Sequence, residues 1–132
     1  MGSGVSCSFD LGKVRGMMED RDLDVILPLS PENAYYVSGT YNISHYMFGF
    51  KRPLIPMIPL DGEPVLLTSV WEKRQVEMET WIRDIRTYEP SMRGEGVLDL
   101  ILEVLVEKGF DKGRIGIEEG AIPVSYTHLT LP

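Results

Sequence analysis

The stretch RPLIPMIPLDGEPVLLTS, residues 52 to 69, constrains the chain more than any other part of it. Two apolar runs flank Asp61-Gly62, a pair that accepts the positive φ values of a tight turn. Leu54 to Leu60 is therefore expected to fold back antiparallel on Pro64 to Thr68. Pro53, Pro56 and Pro59 have no amide to donate. The first strand must then either lie at a sheet edge or carry its prolines where the ladder needs no bond.

Around the hairpin the apolar period alternates between that of helix and that of strand, the signature of an α/β layer structure. Asp10 is placed to cap a helix running to about Asp22, with Leu11, Val14, Met17 and Met18 on or near one side. A short apolar strand follows from Asp24. Ser30-Pro31-Glu32 supplies a capping hydroxyl, a first-turn proline and an acid, and Gly39 closes the helix they begin. Beyond the hairpin, Val70 to Trp81 has helical spacing with Trp71, Met78 and Trp81 able to reach one face, and Ile82 to Tyr88 reads as a strand. Glu89-Pro90-Ser91 breaks the chain. Val97, Leu98, Ile101, Leu102 and Leu105 form an apolar stripe that Gly109 ends, and Arg114 to Glu118 is one more strand.

The chain has 132 residues, room for one domain with a hydrophobic core but not two. Residues 1–9 read as a flexible start and 10–122 as the domain. No run approaches the ~18 apolar residues of a membrane span, and MGSGVSCSFD has neither the basic start nor the apolar stretch of an export signal. With Cys7 as the single cysteine, a cytoplasmic, reducing location is expected. A formal charge of −7, with basic residues scattered among acids, argues against nucleic acid as a partner.

The last nine residues, VSYTHLTLP, differ in character from the rest. One back-translation of them looks like the transposon adapter used in preparing sequencing libraries. Residues 123–132 are accordingly expected to be read-through, with native sequence to about Ile122, and Tyr126 and His128 carry no functional weight.

Taken in order, Met18 to Leu27, SPENAYYVSG from Ser30, Arg52-Pro53-Leu54, the DGEPVLL turn and Gly113-Arg-Ile-Gly-Ile-Glu resemble the N-terminal domain of the creatinase, aminopeptidase P and prolidase family. The resemblance covers nearly all of residues 10 to 119. It implies a mixed sheet layered with helices in a ribonuclease-H-like topology, and chemistry carried elsewhere. In such enzymes a C-terminal domain binds two divalent metals (Mn, Co or Zn) through two Asp, one His and two Glu. That domain is expected as the missing partner, so this chain alone is expected to be inactive and to bind no cofactor of its own. The parent is expected to be a Xaa-Pro aminopeptidase, a dipeptidase or a related C–N hydrolase, assembled as a homodimer and acting on a peptide or small amide.

A site within the chain itself has few candidates. Cys7 has no histidine near it in sequence, and His45 with Asp61 or Glu63 lacks a recognisable metal-ligand spacing. Glu118-Glu119 reads as a solvated strand end, and Asp20, Asp22 and Asp24 as helix-to-strand punctuation. The segment TYNISHYMFGFKR, residues 40 to 52, is different, because loops with aromatic and basic residues are frequent recognition sites. The resemblance implies that this region lies toward the dimer interface and can reach the partner's catalytic pocket. Arg52 can then hold a substrate carboxylate and His45 a carbonyl or carboxylate, with Tyr41 beside them. The other reading is packing, with Phe48 and Phe50 as core or dimer contacts and Arg52 a solvated residue before the strand. A stand-alone small-ligand binding or interaction module with the same fold is the alternative for the whole chain.

Overall fold

The computed structural model describes residues 9–40, 52–90 and 95–117. Their elements follow the expected order: α1 (Leu11–Asp20), β1 (Val25–Leu27), α2 (Pro31–Ser38), β2 (Ile55–Pro59), β3 (Val65–Ser69), α3 (Lys73–Glu79), β4 (Asp84–Tyr88), α4 (Glu95–Glu107) and β5 (Ile115–Ile117). The five strands form one mixed sheet in the order β4-β3-β2-β1-β5. The pairs β3·β4 and β1·β5 are parallel, and β2 is antiparallel to both its neighbours. Among the described residues no helix is long and apolar enough to cross a membrane.

Local chemistry accounts for the element ends. Asp10 accepts a hydrogen bond from the Lys13 amide at 3.0 Å and Ser30 Oγ accepts one from the Asn33 amide at 3.3 Å, so both helices begin at the expected caps. At the other end of α2, Gly39 adopts φ 81°, the left-handed conformation that costs glycine least.

Both faces of the sheet are covered. On one face α4 packs Val97, Ile101, Val104 and Leu105 against Val25, Leu27, Ile55, Met57, Val65 and Leu67. On the other, α1, α2 and α3 lay Met18, Val37, Ala34 and Val76 against Ile58, Leu54 and Leu66. Phe9, at the end of the stretch read as flexible, is buried there, edge-on to Tyr36 and stacked with Trp81.

The proline strand β2 lies in the middle of the sheet, so the edge alternative is not the one realised. The Leu60 amide donates to Asp24 O at 2.8 Å, which turns the even-numbered amides of β2 toward β1 and the odd-numbered ones toward β3. Continuing the register Ile26↔Ile58 puts Pro56 opposite Pro28, where β1 has already ended. The vacant position of Pro59 likewise faces Glu63, beyond the last β2·β3 pair at Met57↔Val65. Pro56 and Pro59 thus stand where the neighbouring strand's ladder has already ended.

Helix α3 is shorter than its spacing suggests. The Trp71 amide donates to Ser69 Oγ at 3.0 Å and the Glu72 amide to Ser69 O at 3.1 Å, which holds residues 70–72 in a turn. Trp71 is consequently off the helix and 69% exposed, and Met78 projects to solvent, leaving Val76 and Trp81 as the packed residues. The strand after it likewise begins at Asp84 rather than Ile82.

Two arginines tie the layers together. Arg86 on β4 bonds Asp84 (2.7 and 3.2 Å) and both carboxylate oxygens of Glu107 in the last turn of α4 (2.9 and 2.8 Å). The hydrogen bonds from Arg86 hold the Asp84 and Glu107 carboxyls below their ordinary range. From α1, Arg15 donates to Pro59 O at 3.0 Å and to Gly62 O, so it caps carbonyls on both sides of the hairpin turn. Arg15→Ala is expected to lower the stability to urea by about 1–3 kcal/mol, the range for hydrogen bonds from a charged donor. Lys13→Ala, two residues away on the same helix and exposed, is expected to change it by less than about 0.5 kcal/mol.

Candidate functional site

The strand directions bring several chain crossings to one edge of the sheet. Strands β1, β3, β4 and β5 all end there and β2 begins there. Within the hairpin, the register Ile55↔Leu67 continues outward to place residue 52 opposite residue 70. Arg52 therefore meets the turn that follows β3.

Its guanidinium lies 4.9 Å from the Trp71 ring centroid, and its Nη2 is 2.5 Å from Glu72 Oε2. Only 23% of the Arg52 side chain and 14% of the Glu72 side chain is exposed, so this pair is less screened than a surface ion pair. Tyr88, at the end of β4, donates its hydroxyl to Pro53 O at 2.5 Å and is buried. Burial raises the Tyr88 hydroxyl well above its usual range, the negative charge of Glu72 pushes in the same direction, and Arg52 opposes them. The corner is thus a fixed guanidinium on an aromatic ring, flanked by one carboxylate and one neutral phenol. Such a group suits recognition of a planar anion or a carbonyl, and it offers no obvious nucleophile.

Of the residues singled out from sequence, Arg52 is placed in this corner, half-buried and engaged rather than solvated. His45, Tyr41, Tyr46, Phe48 and Phe50 lie outside the described residues, as do Cys7, Glu118, Glu119, Tyr126 and His128. Asp61 and Glu63 are exposed at the hairpin turn, the opposite end of β2 from Arg52. Asp24 does more than punctuate, since its Oδ2 accepts the Arg114 amide at 2.8 Å and ties β1 to β5. A Cβ on Gly113 would stand 2.6 Å from that oxygen, which accounts for the glycine. Trp71, Glu72 and Tyr88 were not singled out as site residues. For the first two the hairpin gave an approximate signal, because a two-residue Asp61-Gly62 turn pairs residue 52 with residue 71, one residue from the observed register. Tyr88 required the β3·β4 pairing, which no local pattern encodes.

A hollow of about 360 Å³ lies between α1, α2, β1 and β5. Its polar side chains are Asn33 and Tyr36 among apolar neighbours, so it offers contact rather than chemistry. Among the described residues no group of three or more His, Cys, Asp or Glu could hold a metal ion. A two-metal centre does not fit these residues.

The family model of the Creatinase/Prolidase N-terminal domain matches residues 11–130. A search of curated protein sequences found no match. Among solved structures, a proline dipeptidase from Streptococcus pneumoniae superposes with a TM-score of 0.70 at 20% identity, covering 90% of this chain and 80% of that one. The Creatinase/Prolidase N-terminal domain of an X-Pro dipeptidase from Streptococcus pyogenes gives 0.59 at 16% identity, covering 81% and 91%. The prolidase from Pyrococcus horikoshii gives 0.64 at 17% identity, with 88% of this chain covering 27% of that one. At such identities the superpositions establish the fold alone.

Tyr88 makes the corner sensitive to alkali. A phenol held neutral when folded ionises in the unfolded chain near its ordinary value of 10.0, so its contribution is complete below that pH and is lost as pH rises above it. Unfolding free energy is expected to fall above pH 10 by up to about 1.4 kcal/mol per pH unit from this group, and Tyr88→Phe to flatten that slope. Equal slopes in the two proteins would mean that Tyr88 is not so held.

Proposed function

The chain belongs to the Creatinase/Prolidase N-terminal domain family, and from that membership we propose that it is the non-catalytic N-terminal domain of a Xaa-Pro peptidase or creatinase-type metallohydrolase. Its work is to support dimerisation and to shape substrate access to a catalytic pocket in a C-terminal domain. The two divalent metals of such an enzyme, whether Mn, Co or Zn, belong to that second domain. The 27% share of the Pyrococcus horikoshii prolidase that this chain covers supports a larger parent. The parent is expected in the cytoplasm as a homodimer acting on a peptide or small amide.

One observation carries the part played by substrate access. Arg52 is held at the edge where four strands end, with its guanidinium oriented by Trp71 and Glu72. A fixed guanidinium can meet a carboxylate without first losing about 2 kcal/mol of side-chain freedom. Arg52, with His45 and Tyr41 from the adjoining segment, is proposed to contact the substrate across the dimer.

Reading the source DNA past codon 122 by a primer-based method without a transposon tests the domain assignment. An open frame leading into the two Asp, one His and two Glu ligands is expected; a stop codon after Pro132 would leave a stand-alone binding module instead. In the full-length enzyme, Arg52→Ala is expected to raise KM about ten- to a hundredfold with a smaller change in kcat, the loss of a charged hydrogen bond. An unchanged KM would remove Arg52 from the substrate path.

A further inference from the structure

We infer that Glu72 is the positioning residue for Arg52 and that α3, through an acid at each end, holds the chain on both flanks of residues 41–51; the inference builds on the proposed role of Arg52. Glu72 stands at the N-terminal boundary of α3, yet its side chain makes no capping bond to the helix. Its carboxylate is turned to Arg52 instead. At the last residue of the same helix, Glu79 Oε1 accepts a hydrogen bond from Thr40 Oγ1 at 2.6 Å. Gln75 Nε2 reaches both oxygens of Glu79 at 3.4 Å, one turn back.

The helix that carries these two acids is itself pinned. Val76 is buried between Leu66 and Ala34. Thr80 Oγ1 donates to Ser38 O at 2.8 Å and Trp81 Nε1 to Val37 O at 2.7 Å, joining the ends of α2 and α3. At the other end, Ser69 accepts both the Trp71 and the Glu72 amides, so the ring and the carboxylate that grip Arg52 share one rigid turn. A short helix fixed this way sets the spacing between Thr40 and Arg52, the two residues that border the segment carrying Tyr41 and His45. Arginine is flexible, and one ion pair plus one ring contact orient its plane.

Nitrogen-15 NMR of the 132-residue chain tests this through the Nη signals of Arg52, whose Nη2 donates to Glu72, with those of Arg86 as an internal control and the dipeptide Ala-Pro as the carboxylate probe. In the unaltered chain Arg52 is expected to give a protected Nη–H signal that shifts on adding Ala-Pro. Glu72→Ala should abolish both the signal and the shift while leaving Arg86 unchanged, and Glu72→Gln, which keeps a neutral acceptor, should restore a weakened signal. An Arg52 signal equally protected in Glu72→Ala would overturn the positioning role. Protection lost in that variant, with no Ala-Pro response even in the unaltered chain, would uphold positioning and reject the substrate role of Arg52. Should Glu72→Ala also remove the Arg86 signal, the chain has unfolded, and Glu72→Gln decides: a weakened Arg52 signal supports the inference and an undiminished one overturns it.

Discussion

The β2–β3 hairpin has no face toward water. All five residues of each strand are buried, so each side chain that points up must meet α4 and each that points down must meet α1, α2 or α3. A ladder placed between two apolar layers cannot leave amides unsatisfied, because no solvent is there to receive them. That requirement explains the positions of Pro56 and Pro59 more fully than strand propensity does. Both stand where the neighbouring strand has ended, and in that way a strand rich in proline can occupy the centre of a sheet.

The corner that carries Arg52 inherits its geometry from the same hairpin. The antiparallel register brings Arg52 beside the turn after β3, and the parallel pairing of β3 with β4 then adds Tyr88, whose hydroxyl closes on Pro53. The arrangement is held by the scaffold itself, through the hairpin register and the turn after β3.

Much of this was legible in the chain, and the reason lies in particular residues. Asp10, Ser30-Pro31, Gly39 and Asp61-Gly62 are local devices whose effect depends on few neighbours, and the elements they bound lie where turn and cap chemistry puts them. The start of α3 was not legible, because Ser69 competes for the amides of residues 71 and 72, and that competition is decided by the end of β3. The same uncertainty hid the exposure of Trp71 and Met78. Arg52 could be singled out as basic and adjacent to aromatics, but its engagement with Glu72 and Trp71 is a tertiary fact that needs the hairpin register.

The hairpin should be the most protected part of the domain, and native-state hydrogen exchange measures that directly. The amides of Ile55, Met57, Val65 and Leu67 are expected to exchange only by global unfolding, the slowest in the chain, with β1 and β5 opening at lower free energy. Exchange of those four amides through local opening, faster than the amides of α4, would contradict the claim that this doubly buried hairpin organises both the fold and the Arg52 corner.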